Sequence, residues 1–198
     1  MNAEHQIILK GIEKHISLSE DEKQYFLSLF TPVKFKKKYP VLQPGDIAHE
    51  AAFVVEGCLR SYSIDENGFE HIIQFAPEGW WMTDMYSFIS QRPAQLYIEP
   101  IVETKAFLFS RKNQIKLFDD IPKFERYFRI ITENSLVAYR QRVVDNLGLT
   151  AQQRYEQFCV TYPTLIQILP QKQVASYIGV TPEFLSKMKK GMMKKGKV

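Results

Sequence analysis

The sequence predicts an α+β fold in three successive parts: an N-terminal all-β roll or barrel, one long helix, and an all-α segment ending in a helix-turn-helix. Three observations predict it. Between Pro32 and Ser110 short β-rich runs alternate with turn residues; from Lys123 to Leu147 neither Pro nor Gly occurs; and from Pro170 onward the residues follow the order helix, turn, helix. With 45% hydrophobic and 24% charged residues over 198 positions, the chain has the composition of a folded globular protein rather than a disordered or fibrous one.

Two short helices lead in. Ile7, Ile8, Ile12 and Ile16 recur near helical spacing, and Ser19-Glu20-Asp21-Glu22 is a capping box expected to open a helix through Phe30. From Val33 the period changes. Val41-Leu42, Ala52 to Val55, Leu59 to Ile64, Phe69 to Phe75 and Ile98 to Phe109 read as strands, separated by Gln43-Pro44-Gly45-Asp46, Glu56-Gly57, Asp65-Glu66-Asn67-Gly68 and Pro77-Glu78-Gly79. The Asn67-Gly68 pair marks a hairpin, because both residue types tolerate the positive φ of a tight connection.

After Asp119-Asp120-Ile121-Pro122 only a helix accommodates Phe124, Tyr127, Phe128, Ile131, Leu136, Tyr139, Val143 and Leu147 without interruption. These positions are too many for one stripe. The helix is therefore expected to pack on its own β domain and on a second copy across a two-fold axis, through Phe128, Ile131, Leu136, Tyr139 and Val143; the alternative is burial wholly within one subunit. Thr150-Ala151-Gln152-Gln153 is a second capping box, for a helix to about Val160, and a further short helix follows Tyr162-Pro163. The expected division is 1–118 for the roll, 119–148 for the long helix and 149–198 for the terminal helices.

The last segment carries the chemistry. Val174, Ala175 and Ile178 form the inner face of one helix and Gly179 supplies a left-handed turn. Thr181 is a good N-cap, Pro182 fits the first helical position, and Phe184, Leu185 and Met188 are expected to pack inward. That leaves Thr181, Pro182, Glu183, Ser186, Lys187 and Lys190 facing outward, with Lys189, Lys194 and Lys195 nearby. Seven lysines stand against Glu183 alone between Gln171 and Val198. That is a net +6, which leaves −2 for the rest of a chain whose formal total is +4. A basic face on such a helix is the pattern of a major-groove reader of double-stranded DNA; a solvated lysine tail on a structural corner is the bland alternative.

Other classes are disfavoured. Cys58 and Cys159 lack C-x-x-C spacing, which argues against a disulfide framework, a cysteine-held metal or an iron–sulfur cluster, so neither cofactor nor metal is expected. Only His49 and His71 fall in the roll, and no H-x-H, H-E-x-x-H, nucleophile elbow or Gly-rich phosphate loop occurs, so the chain reads as a non-enzyme. No basic leader or apolar stretch of about 20 residues occurs, and a cytoplasmic protein without membrane contact is expected.

Val41 to Asp46, Phe53 to Arg60, Asp65 to Glu70, Pro77 to Trp81 and Ala175 to Lys187 together resemble the Crp/Fnr superfamily of transcription regulators. The resemblance covers most of the chain. It implies that the β domain is a cyclic-nucleotide-binding-like β-roll of the double-stranded jelly-roll type, and it implies a homodimer that binds near-palindromic DNA, and RNA polymerase as a further partner, with Glu183 and Lys187 where the family's base-contacting Glu and Arg lie. Two departures stand out. Thr83-Asp84 occupies the place of the family's ribose-binding Gly-Glu, and Leu96-Tyr97-Ile98 that of its phosphate-binding Arg-Ser/Thr-Ala, so the cassette is degenerate and cyclic AMP is not the expected effector; the alternative is a shifted alignment that recruits Arg92-Pro93-Ala94 by shortening one loop and lengthening the next. The family's C-terminal β wing is not expected after α-helical Lys187 to Lys190, with Val198 the last residue. A signalling module that binds a ligand or partner without DNA is the rival reading.

Overall fold

The computed structural model describes residues 2–194. Helix α1 (Ala3–Glu13) begins at Asn2, whose side chain accepts the His5 amide, and α2 (Glu20–Ser28) begins at Ser19, where the expected capping box with Glu22 forms. Helix α2 ends at Ser28, short of Phe30, because Phe30 opens strand β1 (Phe30–Phe35) and packs its ring on Phe26 and Phe109. Strands β2 (Glu50–Glu56), β3 (Cys58–Ile64), β4 (Glu70–Pro77) and β5 (Trp81–Met82) follow. Leu42 makes an isolated bridge to Ile98 instead of a strand. Beyond β5 come a short helix α3 (Met85–Ser90), β6 (Tyr97–Pro100), β7 (Thr104–Ser110) and helix α4 (Arg111–Asp120). The expected single run from Ile98 to Phe109 is thus two strands, and α3 and α4 were not anticipated. The long helix is α5 (Lys123–Gly148); after it lie α6 (Ala151–Thr161), a 3-10 turn (Leu165–Gln167), α7 (Gln171–Ile178) and α8 (Pro182–Lys194).

Contacts divide the chain into two compact units, 1–63 with 74–135, and 64–73 with 136–198. In the first, antiparallel strands form a four-stranded sheet, β1-β7-β2-β5, and a three-stranded sheet, β4-β3-β6. Alternation along β2 and β7 sends Val54 and Ala106 inward to meet Leu59 and Ile98 of the other sheet, and sends Phe53, Phe107 and Phe109 outward under Ile8, Ile12, Phe26, Leu117 and Phe124. Because helices cover the outer face, five consecutive residues of β2 are buried and its period-2 signal is hidden. At the β2–β3 connection Gly57 has φ +92°, and a Cβ there would sit 2.6 Å from the Glu103 carbonyl oxygen, so only glycine fits.

The second unit holds the tip of the β3–β4 hairpin, the end of α5, and α6 to α8 around Tyr155, Phe158, Tyr162, Val174, Ile178 and Leu185. In the hairpin turn Gly68 alone takes positive φ, while the Asp65 carboxylate accepts the Asn67 and Phe69 amides and bonds His71 at 2.8 Å. Among the described residues no helix is long and apolar enough to cross a membrane.

Candidate nucleic-acid interface

The helix-turn-helix forms from local chemistry in the predicted order. Helix α7 ends at Gly179 with φ 70°, where the Gly179 and Val180 amides return to the carbonyls of Ser176 and Ala175. The Thr181 hydroxyl accepts the Phe184 amide at 3.2 Å, and Pro182 is the first residue of α8. Val174, Ala175, Ile178, Leu185 and Met192 are buried and fix the angle between the two helices. Arg154 of α6 fastens the pair from behind, donating to the Ile178 carbonyl at 2.8 Å and the Leu149 carbonyl at 2.6 Å.

Of the residues expected to face outward, Thr181, Pro182, Glu183, Lys187 and Lys190 are exposed and Ser186 is half-buried. Pro182, Glu183, Ser186, Lys187 and Lys190 line one open hollow of about 500 Å³. No ion pair among the described residues engages Lys187 or Lys190, so their charge is available to a ligand. Lys189 is placed differently: its ammonium lies 5.7 Å from the ring centroid of Tyr155 in α6 and helps hold α8 down. Lys194 ends α8 but its side chain is not described, and Lys195 and Lys197 lie outside the described residues. One expectation fails. Phe184 does not pack inward but is 52% exposed, because Leu185, Met188 and Met192 already fill the space under α8.

The second unit also contains a clamp that periodicity could not announce. Ser176 of α7 donates its hydroxyl proton to the Glu70 carbonyl at 2.6 Å and accepts the Ile72 amide at 2.9 Å, pairing with strand β4 as a neighbouring strand would. Arg142 of α5 donates to the carbonyls of Ile72, Ile73 and Tyr177 and lies 4.0 Å from the Tyr177 ring centroid. Burial, reinforced by Tyr177, pushes the Tyr162 hydroxyl well above the ordinary phenol range, so that hydroxyl stays protonated.

The segments Thr83-Asp84 and Leu96-Tyr97-Ile98 have structural duties. Asp84 is buried; its carboxylate caps α3 through the Ser87 amide at 3.1 Å and accepts the Gln95 and Leu96 amides at 2.9 and 3.2 Å. Thr83 bonds the Glu50 carbonyl, Ile98 is in the core of the roll, Leu96 is half-buried, and Tyr97 stacks on Tyr62 at 5.1 Å. Behind that stack Arg60 pairs with Glu99 at 2.5 Å and lies 4.2 Å from the Tyr62 ring centroid. Of the expected interface residues of α5, Phe128 and Ile131 pack against the core of their own unit, whereas Leu136, Tyr139 and Val143 are exposed, together with Val137, Val144 and Leu147.

No family model matches the sequence, and no curated protein matches it. Solved structures do. The c-di-GMP-responsive global regulator CLP of Xanthomonas campestris matches with a TM-score of 0.72 at 14% identity, over 90% of this chain and 93% of its own. FixK2 of Bradyrhizobium japonicum matches at 0.73 and 20%, over 84% and 86%. A protein from Eubacterium rectale assigned to the Crp/Fnr family of transcriptional regulators matches at 0.69 and 15%, over 90% and 85%. At such identities the likeness is one of fold, and the fold is that of the Crp/Fnr regulators: a cyclic-nucleotide-binding-like roll, a long helix and a helix-turn-helix. None of the three is named as an enzyme.

Proposed function

We propose that this chain is a sequence-specific DNA-binding transcription regulator of the Crp/Fnr type, acting in the cytoplasm as a homodimer on near-palindromic operators, with RNA polymerase as a further partner. The observation that carries the reading is the face of α8. It is capped, is packed from behind through Leu185 and Met192, and presents Glu183, Ser186, Lys187 and Lys190 without internal partners among the described residues. In this reading Thr181, Pro182, Glu183, Ser186 and Lys187 approach base edges and the first backbone phosphates, while Lys190, Lys194 and Lys195 supply phosphate contacts and Lys189 joins them only by leaving the Tyr155 ring. The working division is 1–118 for sensing, 119–148 for dimerisation and 149–198 for DNA binding.

Dimerisation rests on the exposed end of α5. Leu136 and Val143 are seven residues apart, as are Val137 and Val144, and both rows face solvent in the monomer. The effector is not cyclic AMP in this reading. Its phosphate would meet Leu96-Tyr97-Ile98 without a cation, and its ribose hydroxyls would have to displace three amides from Asp84. The test is selection of duplexes from a random pool, then titration of the selected site at two salt concentrations. A near-palindrome with a steep salt slope is expected, and Lys187→Ala should cost roughly 1–3 kcal/mol there and less on random DNA. Failure to enrich any sequence would overturn the reading.

A further inference from the structure

Phe184 occupies the first turn of α8 with its amide pinned to the Thr181 hydroxyl, so its backbone position is set by the cap and not by its ring. Its neighbours already fill the space under the helix, Leu185 being 1% exposed and Met192 4%, while Phe184 remains 52% exposed. Leaving half an aromatic ring in water forgoes much of the stabilisation that burial of a Phe brings. At 100° per residue Phe184 and Lys187 are separated by about 60° around the helix, one turn apart, so the ring borders the polar face of Glu183, Lys187 and Lys190. Phosphates offer nothing to an uncharged ring. Along the major groove the apolar feature on a base edge is the C5 methyl of thymine, and apolar side chains, Phe among them, read it by contact. We propose that Phe184 is a specificity-determining residue that packs on the methyl group of a thymine adjacent to the base contacted by Lys187. This rests on the DNA-binding reading above.

The experiment uses the full chain and the duplexes it selects. Each thymine of the selected half-site is replaced in turn by deoxyuridine, which removes only the methyl group, and affinities are measured for the unaltered protein, Phe184→Ala and Phe184→Leu. One thymine per half-site should lose about fourfold on replacement, the value of one buried methyl-sized group. That penalty should vanish in Phe184→Ala and persist in Phe184→Leu, which keeps an apolar contact. Because the ring is half-exposed, thermal melts should show both variants folded. Binding with no thymine whose methyl matters, or an equal deoxyuridine penalty in Phe184→Ala, overturns this inference and leaves the DNA reading intact. Absence of any selected site overturns the DNA reading itself.

Discussion

Replacing Arg142 by Ala tests whether the hairpin tip is part of the helical unit in energy as well as in contact. One guanidinium satisfies the carbonyls of Ile72, Ile73 and Tyr177 and stacks on the Tyr177 ring. Hydrogen bonds to a charged group contribute about 1.5–3 kcal/mol each, and a partly desolvated cation–π contact about 1 kcal/mol. The sum overstates the loss, because Arg142 is only half-buried and water can reach some of the freed carbonyls. A destabilisation of about 3 kcal/mol is expected for Arg142→Ala, and nearly as much for Arg142→Lys, since one ammonium lacks the fork that spans three acceptors. Urea unfolding gives the stability, and hydrogen exchange at the Ile72 amide, held by the Ser176 hydroxyl, gives the location. Ser176→Ala should accelerate the same amide, and the double variant should lose less than the two single losses combined, because both residues hold one strand. A change below about 0.5 kcal/mol in Arg142→Ala, with Ile72 exchange unaltered, would refute the reasoning.

Glu99→Ala leaves the Arg60 guanidinium, 6% exposed, without its carboxylate and should cost about 3 kcal/mol in urea melts, whereas replacing Arg60 and Glu99 together by Met and Leu should be nearly neutral; equal losses would show that packing rather than charge matters there. Hydrogen bonding from Lys123, then from the Ser19 amide, holds the Glu22 carboxyl below its ordinary value. A depressed carboxylate contributes stability that is present above about pH 4.5 and is lost as pH falls through its folded value, so Glu22→Gln should flatten the acid limb of the melting curve, and an unchanged limb would exclude the linkage. Burial pushes the Cys58 thiol up to about 12, so iodoacetamide at neutral pH should alkylate the partly exposed Cys159 in the native protein and Cys58 only after unfolding; native labelling of both would contradict the buried placement.

What the sequence by itself determined is what short-range chemistry controls. The capping boxes at Ser19 and Thr150, the N-cap at Thr181, the left-handed Gly179 and the Asp65–Gly68 turn all formed as read, because each is satisfied by partners within a few residues. Their order along the chain, with the period switching from helix to strand and back, was enough for the α+β class. Only the tertiary structure decided the rest. Helix α4 escaped notice because its sequence, RKNQIKLFDD, buries just Gln114 and Leu117, and α3 because its cap, Asp84, is defined equally by amides eleven and twelve residues away. The Ile98–Phe109 run divided between two sheets with only Pro100 as punctuation. Equally apolar residues of α5 met different fates, Phe128 and Ile131 packing on their own unit and Leu136 and Val143 remaining exposed, and Phe184 stayed outside a space already filled. Periodicity states that a side chain is apolar and on which face it stands; which surface arrives there, and whether room is left, depends on contacts with residues far along the chain, as Ser176 and Arg142 show by gripping a strand edge about 70 to 106 positions away.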